Sequence, residues 1–179
     1  AKTPALLSTQ TSTSPTVNPV KIPVRTATQT VTQSEPKSLM KKRVLVVGAS
    51  SIQFAIGTEL EKRIPQYEGV EVLRFGKLAS GLARPDFFDW PKQIKELAAD
   101  FQPDLMIANF GGNGAQSIPL GNYKQAKFRS PEWDEEYSRR VQVIVGIAQA
   151  GGADVVFLGM PNMRSKKFAK KMRYLNKVQ

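Results

Sequence analysis

From Lys41 onward, short apolar runs closed by glycine or proline alternate with longer amphipathic stretches, and few folds accommodate that alternation. KRVLVVGAS, ending at Ser50, is a continuous apolar run stopped by Gly48. Such a run is the pattern of a strand buried on both faces of a parallel sheet. Val70–Phe75 reads as a second strand, DLMIANF (104–110) as a third and DVVFLGMP (154–161) as a fourth. Between them, Ser51–Arg63 predicts a helix ended by Pro65. Pro91–Phe101 predicts an amphipathic helix with Ile94, Leu97, Ala98 and Phe101 on one face. Glu132–Ala150 predicts a long helix and Phe168–Val178 a last one. Strands separated by helices imply an α/β domain with a mainly parallel sheet and right-handed crossovers. In such sheets function gathers at the carboxyl ends of the strands. Here those ends are Gly48–Ser51, Phe75–Gly81, Gly111–Gly114 and Gly159–Asn162.

Residues 1–40 have a different composition. Ser, Thr, Gln and Val dominate, and spaced prolines (Pro4, Pro15, Pro19, Pro23, Pro36) discourage helix. The chain therefore divides into an extended, low-complexity tail over 1–40 and an α/β domain over 41–179. The tail has too few large apolar side chains to order itself against the entropy cost of about 1–2 kcal/mol per residue. It is expected to contact other protein subunits over 4–36, adding as a strand to a sheet edge or lying in a groove. Val17, Val20, Ile22, Val24 and Val31 would fill pockets along that edge, and Lys21 and Arg25 would favour an acidic neighbour.

Absences narrow the chemistry. The sequence has no cysteine and no histidine. Thiolate metal sites, disulfides and cysteine nucleophiles are excluded, and so is the usual base beside a serine nucleophile. Without His, Cys or clustered Asp spacing, no metal or other cofactor is expected. VVGASSIQFAIG lacks the glycine spacing of a dinucleotide fingerprint. No apolar run reaches the roughly 18–20 residues of a membrane helix. The formal net charge is +11. A basic patch of Lys166, Lys167, Lys170, Lys171, Arg173 and Lys177 follows Arg164 without an intervening acid. Such a block is either a solvated helix face or a surface for an acidic partner. It lacks the interleaved aromatics of base-stacking platforms, so nucleic acid is not the expected partner.

Three glycine- and serine-bearing blocks stand at strand ends in order. Gly48-Ala49-Ser50 resembles the first block, G-D-S, of the SGNH (GDSL-type) hydrolases. Ser80-Gly81 resembles the second and Gly111-Gly112-Asn113-Gly114 the third, G-x-N-D. SGLARPDFFDWP, PEWDEEYSRRV and GMPNMRS are similar to a subgroup of periplasmic bacterial SGNH-like proteins. The resemblance spans about Arg43 to Asn176. It implies a flavodoxin-like three-layer sandwich, Ser50 at the nucleophile position, and Gly81 and Asn113 as oxyanion-hole groups. It also implies a histidine in a late D-x-x-H block after a further strand, and no such block occurs up to Gln179. Ala49 and Gly114 replace the aspartates of the first and third blocks. Ser50 is then a vestigial nucleophile. Structural alternatives stand beside each role: Ser50 as a helix-capping turn residue, the glycines as positive-φ turn positions, and Asn113 as an Asx-turn.

Asp86, Asp89, Glu132, Asp134, Glu135 and Glu136 are the carboxylates near the presumed rim, with Asp134 and Glu135 expected to begin a helix. Trp90 and Trp133 read as core residues at loop–helix junctions. Three functions follow as expectations. The first is a non-catalytic scaffold subunit of a bacterial envelope assembly, with the periplasmic location that the resemblance implies. The second is an esterase or acyltransferase on envelope glycans whose histidine block lies elsewhere. The third is a glycan- or peptidoglycan-binding module.

Overall fold

The computed structural model describes residues 41–179. The tail positions Val17, Val20, Lys21, Ile22, Val24, Arg25 and Val31 lie outside the described residues. Strands β1 (Lys42–Gly48), β2 (Val70–Gly76), β3 (Leu105–Asn109), β4 (Ile118–Gly121), β5 (Lys124–Ala126) and β6 (Asp154–Phe157) alternate with five α-helices. These are α1 (Ser50–Gln53), α2 (Ala55–Arg63), α3 (Trp90–Phe101), α4 (Pro131–Ala150) and α5 (Lys166–Val178). Four strands form one parallel sheet in the order β2-β1-β3-β6. The first, second and third strand segments and the 90–101 helix stand where the hydrophobic pattern places them.

Alternation along β1 divides the core into two. Leu45 and Val47 point to the side where Met106, Ala108, Ile94, Tyr137, Ile144 and Leu175 meet. Val44 and Val46 point to the opposite side, against Ile52, Ile56 and Leu60. β1 is therefore covered on both faces, which is why its sequence is a continuous apolar run rather than an alternating one. Helices α3, α4 and α5 form one outer layer, and α1 with α2 forms the other. On the α1–α2 side, cover thins toward β6, where Val156, paired with Ile107, is 45% exposed.

Three local differences from the sequence expectation have physical causes. The predicted 51–63 helix breaks at Phe54, whose backbone (φ −117°, ψ −87°) leaves the helical region. The fourth strand ends at Phe157 rather than Pro161: Leu158 N–H makes a last bond to β3 at Ala108 C=O (2.8 Å), and Met160 N–H then bonds to the Asn176 side chain of α5 instead. A small antiparallel hairpin, β4–β5, was not legible, since IPLG and KQA carry no alternating pattern. Pro119 sits beside a register shift, where a missing N–H is tolerated, and Gly121, Asn122 and Tyr123 turn with positive φ.

Candidate functional site

The carboxyl ends of β1, β2 and β3 lie level, with Gly48 paired to Gly76 on one side and Asn109 on the other. A Cβ at Gly48 would strike the Asn109 carbonyl oxygen, so only glycine fits there. Ala49 N–H donates to that carbonyl (3.2 Å) and Lys77 N–H donates to Gly48 C=O (3.0 Å). Helix α1 starts at Ser50, and Ala49 holds the capping position without a side-chain bond. The helix-capping alternative for Ser50 is thereby corrected: Ser50 is the first helical residue, half-buried at the rim. Its neighbour Ser51 makes the tie that sequence reading missed. Ser51 Oγ donates to Asn109 Oδ1, while Asn109 Nδ2 donates to Leu158 C=O at 2.7 Å. Asn109 is wholly buried, so these partners satisfy an amide that would otherwise be costly.

Gly81 and Asn113 are brought together. An added Cβ on Gly81 would lie 3.1 Å from Asn113 Cβ. Asn113 Nδ2 donates to Ser80 C=O at 2.8 Å, across 33 residues, so its side chain bridges two loops instead of closing an Asx-turn. One N–H of that amide serves the bridge, and a carboxamide carries two. The second-block loop is pinned from beneath: buried Ser80 Oγ donates to Lys77 C=O (2.7 Å) and accepts from Trp90 Nε1 (3.2 Å). Ala79, just before it, adopts φ 59°, a left-handed conformation that such loops hold only when their surroundings enforce it.

The third-block glycines answer to packing rather than to backbone sign. None of Gly111, Gly112 and Gly114 is among the positive-φ residues, which corrects the turn alternative. A Cβ on Gly111 would enter the Met160 side chain. A Cβ on Gly114 would lie 2.8 Å from the Tyr137 hydroxyl and 3.2 Å from Leu175 Cδ2. Tyr137 is buried, donates to Phe110 C=O (3.1 Å) and accepts from Gln179 Nε2 (3.0 Å). Its burial pushes the phenol well above the ordinary range. Ala49 is also buried, at 3% exposure.

The rim carboxylates are engaged singly. Asp86 pairs with Arg84, whose hydrogen bonds hold its carboxyl below the ordinary value. Asp89 caps α3 by accepting from Lys92 N–H (3.0 Å). Helix α4 begins at Pro131 behind the Ser130 cap, so Glu132 and Asp134 occupy the first turn and Glu135 follows it. The Ser130 hydroxyl holds the Glu132 carboxyl below its ordinary value. Asp134 accepts from Tyr174 Oη (2.6 Å). Glu136 sits between Arg139 and Arg140, and the Arg139 hydrogen bond, then Arg140, hold its carboxyl down to about 2. Among the described residues no three acids converge as a cation site would require. Trp90 and Trp133 are core residues, 1% and 0% exposed.

The basic block resolves into two sets. Lys166, Lys167, Lys170, Arg173 and Lys177 are exposed on α5. Lys171 instead turns inward, donating to Ala115 C=O (3.4 Å) over the Phe128 ring.

The family model described as protein of unknown function (DUF459) matches residues 43–179. The chain belongs to DUF459. No curated protein was found to match its sequence. Solved structures similar to this DUF459 domain include proteins described as an esterase and as a hydrolase enzyme. A catalytic mutant of Axe2, an acetylxylan esterase from Geobacillus stearothermophilus, is 12% identical with a TM-score of 0.50, over 76% of this chain and 69% of that one. LAE5, an alpha/beta hydrolase enzyme from the metagenome of Lake Arreo, Spain, is 14% identical with a TM-score of 0.50, over 76% and 70%. A protein from Slackia heliotrinireducens described as a candidate SGNH hydrolase is 17% identical with a TM-score of 0.49, over 77% and 73%. At such identities likeness shows the fold alone. The DUF459 domain has the SGNH-like fold, with its parallel sheet between helical layers.

Proposed function

We propose that this chain is a non-hydrolytic SGNH-like subunit that serves a bacterial envelope assembly as a scaffold. One observation carries the reading: Gly114, where the third block has an aspartate, lies directly beneath the Tyr137 hydroxyl, with no room for a side chain. Ala49 at the other aspartate position and the absence of histidine from the sequence support it. A serine hydroxyl without a base is a poor nucleophile near neutral pH. The expected result is that purified protein hydrolyses p-nitrophenyl acetate no faster than its Ser50→Ala variant. Clear Ser50-dependent turnover overturns the proposal.

Docking is assigned to residues 4–36, for the energetic reason given above. A chain beginning at Ser38 should lose the partner captured by the full chain in a pull-down. Unchanged capture would reduce the tail to a spacer.

A second reading has one observation in its favour. Gly81 and Asn113 are held in contact, as oxyanion donors from two loops must be. On that reading the domain is an esterase or acyltransferase toward envelope glycans, or binds such a glycan, and its base comes from outside these residues. The same Ser50→Ala comparison separates hydrolysis from the other two roles. The periplasmic location belongs to this proposal as well.

A further inference from the structure

We infer that the cleft between α5 and the 127–130 loop is a docking site for an acidic α-helix of a protein partner. The cleft has a volume of 380 Å³ and is lined by Arg129, Lys170, Arg173, Tyr174 and Lys177. Lys166, Lys170, Arg173 and Lys177 recur at i, i+4, i+7 and i+11, so they form one straight stripe along α5. Among the described residues none of the four is in an ion pair.

Arg129 makes the cleft a built one. Its backbone is left-handed at φ 74°, unusual for a residue with a side chain. Its guanidinium donates to Lys170 C=O (2.9 Å) and lies over the rings of Tyr174 (4.8 Å) and Phe128 (5.3 Å). Tyr174 is itself held by Asp134. A fixed guanidinium with free N–H groups is suited to a carboxylate.

Spacing selects the occupant. The stripe spans about 17 Å, the rise of eleven helical residues. A partner helix with carboxylates at the same intervals matches it along its length. An extended chain with four same-face acids spans about 20 Å and drifts out of step. Nucleobases have no free platform in the cleft, because Arg129 covers Tyr174 and both Arg129 and Lys171 cover Phe128. A lipid surface would need apolar side chains to insert beside the stripe. Ala169, Met172 and Leu175 of α5 are buried in the core, and Phe168, 36% exposed, lies on the opposite side of the helix from the stripe, next to Gly112.

The test uses the full chain and a labelled alanine-rich helical peptide with glutamates at i, i+4, i+7 and i+11. A permuted peptide of the same composition, inorganic polyphosphate, a single-stranded oligonucleotide and phosphatidylglycerol vesicles form the comparison arms. The matched peptide should bind best, and more weakly as salt rises. Lys170→Glu/Arg173→Glu should weaken it about tenfold, the sum of a few surface charge pairs. Arg164→Glu/Lys167→Glu changes net charge equally, lies off the stripe, and should weaken it far less. Circular dichroism melts confirm that both variants fold. Equal losses in the two variants, equal binding of the permuted peptide, or stronger binding of polyphosphate, oligonucleotide or vesicles would each overturn the inference.

Discussion

Replacing Gly114 by aspartate, the residue that the third SGNH block carries there, is expected to destabilise the domain rather than activate it. The added Cβ alone would lie 2.8 Å from the Tyr137 hydroxyl and 3.2 Å from Leu175, both fully buried. A carboxylate would also lose its water there. Overpacking and the desolvated charge together predict a loss of about 3–5 kcal/mol. Urea denaturation of Gly114→Asp beside Gly114→Ala measures it, with the alanine variant losing less. Tyr137→Phe removes the oxygen that the new methyl group meets. Gly114→Ala combined with Tyr137→Phe should therefore lose less than the sum of the two single variants. A Gly114→Asp protein as stable as the parent would mean that the strand-end loop yields easily. The central support for a non-hydrolytic domain would then be gone.

Arg140→Met is expected to cost about 3 kcal/mol at neutral pH, because it leaves a mostly buried carboxylate short of a partner. The Arg140 side chain is 13% exposed and that of Glu136 17%. Arg140 also donates to Leu82 C=O (2.7 Å) and Pro119 C=O (3.3 Å), tying α4 to the second-block loop and to the hairpin. The loss should depend on pH in a definite direction. Glu136 is held at about 2, below its ordinary 4.5, so its contribution is complete above 4.5 and is lost as pH falls through about 2. The stability gap between parent and variant should narrow over that window and leave a remainder from the two backbone bonds. A gap unchanged from pH 7 to pH 2.5 would place the effect in packing and the two backbone bonds rather than in the ion pair.

Much of the architecture was legible because each apolar run carried its own period. Val44–Val47 is continuous because both faces of β1 are covered, and Ile94, Leu97, Ala98 and Phe101 recur at helical intervals because one face of α3 meets the sheet. The β4–β5 hairpin was not legible, since seven strand residues without alternation leave no periodic trace. At the site, block order located Ser50, Gly81 and Asn113 at the strand ends. It said nothing of Ser51 and Asn109, whose bond is made between side chains 58 residues apart.

The sequence by itself determined the strand–helix alternation, the absence of an imidazole or thiol, and an acid-free basic segment before Gln179. Those are properties of composition and of spacing along one chain. Tertiary structure alone decided that Gly114 lies under Tyr137, that Asn113 spans to Ser80, and that Lys171 leaves the basic stripe while Arg129 joins it. Each of these depends on which distant side chain occupies the adjoining space, and close packing of the core settles that only when the whole domain is assembled.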